Sequence, residues 1–313
     1  MTTQSSAITE PGPLLPKPAA PTAYGLRWGL LGVVAFSFTV PLTRVAARDG
    51  LSPLFIGSGR AVVAAVLAAV ALAVTRRRVP DTGQWVRLAV VAGGVVVGFP
   101  LLTSYALSRV PAGHGAVVIG LLPAATAVMV VLRGKERVPL MFWLSAALGA
   151  LAVVAFAAVE HGGLGGLSWA DLLLFGAVLA AAVGYAEGGL LSRELGSWQT
   201  VSWALLLAAP LMLMLTVVSV AQQAPSASPV QWLAFGYLSV VSMYLGFFAW
   251  YRGLAIGPMT TVSQVQLVQP VLSITWATLL LREQLTWATV LGGLVVILCA
   301  RTAVRTRLNT RSS

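Results

Sequence analysis

Charge is what this chain has least of. Only 9% of its 313 residues are Asp, Glu, Lys or Arg, while 58% are apolar. An ordinary soluble domain carries about 25% charged residues. So little charge cannot cover a surface that faces water, which excludes a soluble globular reading and the domain count its length would suggest. Cysteine is nearly absent too. Cys299 stands alone inside an apolar run, so no intrachain disulfide forms, no cysteine-built metal site is expected, and the residue reads as small helix packing. His114 and His161 lack the neighbours that a metal centre needs. There is no GxxxxGK[ST] phosphate loop, so ATP does not act on this chain directly and no cofactor is expected. Neither a pair of intramembrane His or Asp residues nor a Ser/His/Asp arrangement stands out, so an enzyme is not the expectation. Residues 1–24 lack the apolar core of a signal peptide. Their Pro, Ser, Thr and Ala read as a disordered cytoplasmic tail.

What remains is a succession of apolar runs with short polar punctuation. The pattern predicts transmembrane helices near 27–45, 54–75, 85–107, 115–132, 139–158, 168–191, 200–220, 231–254, 260–281 and 286–303. Each is long enough to cross a hydrocarbon core about 30 Å thick. The end of the first is ragged, at Pro41 and Arg44. The expected fold is therefore an all-α integral membrane protein embedded in a lipid bilayer. Net charge is +11, but the basic residues sit between the runs, as in Arg76-Arg77-Arg78, which suits an anionic membrane face and leaves no basic surface for nucleic acid. With the N-terminus in the cytoplasm, only Arg44, Arg48, Arg60, Arg109 and Arg282 of the 20 Lys and Arg fall outside. That bias predicts both termini cytoplasmic and an even number of helices. Gly, Ala, Val and Arg enrichment points to a bacterial inner (plasma) membrane.

The chain also repeats itself. Leu107, Pro111, Pro123 and Lys135-Glu136 recur as Leu254, Pro258, Pro270 and Arg282-Glu283, each pair 147 residues apart. The repeat unit is five helices, an odd number, so the two halves lie in the membrane with opposite topology. Inverted repeats of this kind build alternating-access transporters with a site between the halves. The halves are expected at 25–158 and 168–303, followed by a basic cytoplasmic tail at 304–313.

These residues also carry a resemblance. Ser52-Pro53, Arg60, Tyr105-Ala106-Leu107, Pro111-Ala112, Pro123 and Lys135-Glu136-Arg137 mark the first half. Trp250-Tyr251-Arg252-Gly253-Leu254-Ala255, Gln269-Pro270 and Leu279-Leu280-Leu281-Arg282-Glu283 mark the second. Together, over residues 27–303, they resemble the ten-helix EamA-type permeases of the drug/metabolite transporter superfamily. The resemblance implies a basket-like bundle around a central cavity and export of amino acids, metabolites or toxic compounds. It names no substrate, direction, coupling ion or oligomeric state.

Several residues are candidates for contact with a small-molecule substrate. Glu187 lies in Gly184-Tyr185-Ala186-Glu187-Gly188, about 9 Å inside the sixth run as counted from Arg193. A carboxylate at that depth faces protein or a water-filled cavity. It reads either as a proton-coupling or cation-binding group, or as an interfacial partner of Arg193. Gly184 and Gly188, like Gly94 and Gly98, are small pairs expected to let helices approach closely. The ninth run carries a polar stripe, Ser263, Gln266, Gln269, Ser273 and Trp276, broken at Pro270. The stripe, with Gln264 beside it, lines a cavity or bonds neighbouring helices. Pro123, its repeat partner, has an apolar face around it. Arg60 binds a carboxylate, snorkels, or bonds backbone carbonyls. Trp28, Trp85, Trp143, Trp169, Trp232 and Trp287 read as interface anchors. Phe36, Tyr105, Tyr185, Tyr244 and Trp276 lie deeper and line the cavity or pack the core. A non-transporting membrane enzyme or partner-binding subunit is the alternative of another class. Such an enzyme would cluster ionisable residues at one depth, and such a subunit would carry a large loop; the chain shows neither.

Overall fold

Helix boundaries follow from local chemistry. Ser52 accepts a hydrogen bond from the Phe55 N–H at 3.1 Å with Pro53 at the first helical position, which satisfies one orphan donor and spares another. Asp81 with Gln84, and Ser228 with Gln231, close reciprocal capping boxes. The computed structural model describes residues 20–48, 50–76, 78–134, 138–160, 168–257, 262 and 265–312. Pro258, Ser263, Gln264, His161, Arg77 and Lys135-Glu136-Arg137 lie outside the described residues, as does most of the expected N-terminal tail.

Ten helical rods result, with no strand among the described residues. α1 comprises Ala20–Ser37 and Thr39–Ala47, broken at Phe38. α2 is Pro53–Thr75 and α3 is Thr82–Leu107. α4 comprises Ala112–Ile119 and Leu122–Gly134. α5 is Leu140–Glu160, α6 Trp169–Leu195, α7 Ser197–Gln222 and α8 Pro229–Ile256. α9 opens with the 3-10 turn Val265–Val268 and continues as Gln269–Leu281. α10 is Trp287–Ser312. Nine of these are long and apolar enough to cross a membrane among the described residues, and Val265–Leu281 is a shorter apolar helix.

Every expected run is present, and most are longer than the hydropathy pattern indicated. α1 begins at Ala20, inside the segment expected as a tail, and α10 runs on through 304–312. The α10 extension meets no glycine, Gly25 in the α1 extension packs against the Gly257 backbone, and Pro21 sits at the second position of α1, where its missing N–H costs nothing. The polar ends of helices therefore continue beyond the apolar windows that locate them.

Packing follows the inverted repeat. α1 lies on α8 and α3 lies on α6, while α2 packs on α7 and α5 on α10. Exchanging the first five helices for the second five maps this set onto itself. The repeat extends to backbone irregularities. α3 contains a π-helical stretch at Ala92–Gly98, and α8 one at Leu238–Gly246. The 147-residue offset carries 92–98 onto 239–245. The breaks in α4 and α9 correspond likewise, since 120–121 maps onto 267–268. Small residues set the closest approaches. A side chain at Gly94 would strike the Ala180 carbonyl and the Gly184 backbone, and one at Gly253 would meet Gly29. The glycine pairs read from sequence as packing devices do pack.

Candidate functional site

The two helix breaks face each other. Pro123 and Pro270 are each the second residue of a restarted helix, where proline is favoured. They therefore start new segments after a turn and do not kink continuous helices. Gly120 packs on the Pro270 ring. Between the breaks lies a cavity of about 10 Å³, room for about one water molecule. α4 contributes Ala116, Ile119 and Pro123, an apolar wall; α9 contributes Gln266, Gln269 and Ser273. The halves contribute unequally, as the sequence indicates.

Gln266 is 1% exposed, and neither its Nε2 nor its Oε1 has a hydrogen-bond partner among the described residues. Gln269 leaves its Oε1 unpartnered as well. Buried amides without partners cost about 1–3 kcal/mol each, so natural cores rarely keep them. Ser273 and Trp276 behave differently. Ser273 Oγ donates to the Ser37 carbonyl at 2.8 Å, and Trp276 Nε1 donates to Ser37 Oγ at 3.0 Å. Trp276 also stacks on Phe38, with ring centroids 4.4 Å apart. Two of the stripe's residues thus fix α9 to the break in α1, and its glutamines are left for the cavity.

The deep aromatics divide. Phe36 and Tyr185 join Phe247, Trp250 and Tyr251 in a buried cluster between α1, α6 and α8. Tyr251 donates from this cluster to the Gly184 carbonyl at 3.1 Å. These rings pack the core. Tyr244 bonds Ser202 of α7 at 3.1 Å. Tyr105 is 37% exposed and stands apart from the others.

Glu187 is not held by Arg193, whose Nη2 donates to the Leu254 carbonyl at 3.4 Å. Its partners are Arg87 of α3 and Arg133 of α4, the second at 3.0 Å. Arg87 also reaches Glu194 at 2.5 Å. Two cations and two anions thus balance at the end of the bundle that carries the termini, joining the first half to the second. An apolar cleft of about 470 Å³ opens beside this group, lined by Val90, Met129 and Val183.

The opposite end has its own ties between halves. Glu283 accepts from the Ala112 and Gly113 N–H groups, both at 2.8 Å, and so caps the start of α4 from beyond α9. Arg282, in the left-handed conformation at φ 54°, turns the chain that brings it there. His114 Nε2 lies 2.7 Å from Asp171 Oδ1, both side chains 2% exposed. Arg87, Arg133, Asp171, His114 and Glu283 do not stand out as site residues in the sequence. Matching depth is the available signal: Arg87 and Arg133 lie within two turns of the same end as Glu187.

Two inverted five-helix halves, with broken helices meeting around buried glutamines and with ties at both ends, define a membrane carrier. The EamA-like transporter family model matches residues 23–158 and again 168–303; the chain belongs to that family. It is 43% identical over 284 residues to the uncharacterized transporter YdeK of Bacillus subtilis (strain 168), covering 91% of this chain and 98% of that one. A solved crystal structure with 17% identity shares the fold at a TM-score of 0.63, over 93% of this chain and 99% of the other.

Proposed function

We propose that this chain is a secondary transporter of the bacterial plasma membrane, with both termini cytoplasmic. It exports small metabolites such as amino acids or related compounds by alternating access. The observation that carries the reading is the Gln266 amide and the Gln269 Oε1, buried and without partners among the described residues where the α4 and α9 breaks meet. Buried donors and acceptors left open among the described residues are complementary to a polar solute. With room for about one water molecule, the cavity must widen as the halves rock. The family and the named relative support transport; the amides support a polar substrate.

Protons are the proposed coupling ion, with Glu187 as the group that senses them. A second reading, uncoupled facilitation or import, draws support from the arginine partners of Glu187, because Arg87 and Arg133 balance its charge without a proton. The deciding experiment is flux in proteoliposomes across an amino-acid and amine panel, with and without an imposed pH gradient. Acceleration by the gradient that Glu187→Gln abolishes supports coupling through Glu187. Flux indifferent to the gradient supports the facilitator. No flux for any solute overturns the transport reading.

A further inference from the structure

Among the described residues, Arg60 differs from the other buried charges. Glu187 has two arginines and Asp171 has His114, and even the half-buried Glu283 has two backbone N–H groups. Arg60 is 1% exposed, seven residues into α2 from Pro53, roughly 10 Å by helical rise. No described carboxylate pairs with it. Its Nη2 reaches the Thr103 hydroxyl at 3.5 Å, the outer limit of a hydrogen bond, and its Nε has no partner. Cations within membrane bundles are kept where they meet a counter-charge or a solvated path. The Nε–Nη2 edge is one of the two that grip a carboxylate through two parallel bonds. A second unfilled group lies on a neighbouring element. Thr43 Oγ1 is buried and unpartnered on the second segment of α1, which packs against both α2 and α3.

We propose that Arg60 is a carboxylate-recognition site on the transport path, reached by the solute between the α4–α9 cavity and the end of the bundle where α2 begins. The solute meets neutral amides at the cavity and its counter-charge at Arg60. The substrate class is then small carboxylate-bearing solutes, amino acids among them. Their carboxamides and simple amines offer the guanidinium no negative charge and are rejected. This inference rests on the transport reading above and names the chemistry of its substrate.

The test uses matched pairs: L-leucine, L-phenylalanine, L-glutamine and benzoate, each against its carboxamide. Binding to the purified full-length chain is read by thermal shift in detergent, and flux in proteoliposomes. The expected result is stabilisation by the carboxylate member of at least one pair and flux at least tenfold above its carboxamide. Arg60→Gln erases that preference and Arg60→Lys keeps part of it. Equal handling of every pair, no response to any probe, or full preference in a folded Arg60→Gln protein overturns the site. A carboxylate-specific shift without flux upholds the site and fails the transport reading. Flux without carboxylate preference does the reverse. Should Arg60→Gln not fold, the wild-type comparison alone decides, since it needs no variant.

Discussion

At the scale of single residues, the separation of binding from packing rests on who already has a partner. Gln266 has none among the described residues, so Gln266→Met, close in shape and apolar, removes an unsatisfied amide and breaks no described bond. Stability is expected to hold or rise by up to about 1–3 kcal/mol, while flux falls at least tenfold. A drop in Tm with flux retained would return the residue to packing. Glu187 gives the opposite signature. Glu187→Gln leaves two guanidinium groups facing a neutral amide, and the partly exposed arginines limit the expected loss to about 1–3 kcal/mol. Adding Arg133→Gln should recover part of that loss, since it removes the repulsion left behind. A thermal-denaturation cycle over the four proteins measures it, and strict additivity would mean that the pair contributes nothing. The types and depths of Glu187, Gln266 and Gln269 are legible in the sequence because charge and amides are conspicuous in an apolar run. The partners of Glu187 are not. Pairing depends on the rotation of each helix about its axis, and hydropathy carries almost no record of that when every face is apolar.

At the scale of elements, glycine marks where helices touch, and it does so unevenly. Gly93 and Gly94 are neighbours in the π-helical stretch of α3. A Cβ at Gly93 meets nothing within 4 Å, whereas one at Gly94 meets the Ala180 carbonyl and the Gly184 backbone. Gly93→Ala is therefore expected to leave yield and Tm unchanged or slightly raised, and Gly94→Ala to lower both, because backbone cannot yield as a flexible side chain can. Similar losses from both substitutions, measured by size-exclusion profile and thermal melt, would count against the α3–α6 contact. The two small-residue pairs and the two prolines are legible in the sequence, because residue type and spacing alone mark them. The break in α1 at Phe38 follows from Pro41, which has no N–H for the Ser37 carbonyl and whose ring crowds it; what takes up the freed carbonyl is not legible. That break is held by contacts from elsewhere, the Trp276 ring stacked on Phe38 and the bond from Ser273 to the Ser37 carbonyl. The π-helical stretches leave no mark: one extra residue in a turn leaves an apolar run apolar.

For the whole molecule, the proposed alternating access makes the two ends of the bundle alternatives to each other. At one end, Arg87 and Arg133 meet Glu187; at the other, Glu283 caps α4 and His114 meets Asp171. All these ties join the first half to the second, and the cavity between them has room for about one water molecule. A bundle tied at both ends can admit solute only by releasing one set, and a rocking motion that parts one end presses the other together. Glu283 is the tie most easily cut. Glu283→Ala removes two charge-assisted bonds to helix N–H groups, each of about 1.5–3 kcal/mol, and touches no cavity residue. In a Cys299→Ser background, Ala116→Cys places a thiol in the cavity wall. Labelling of that thiol by a membrane-impermeant reagent is then expected to be slow from either side. Adding Glu283→Ala should raise the rate at least tenfold from the side opposite the termini and leave it slow from the other. The same substitution should lower net flux, because a carrier biased to one opening cycles less often. Faster labelling from both sides would mean that the substitution loosened the fold, and no change would mean that the far end is closed by contacts other than Glu283.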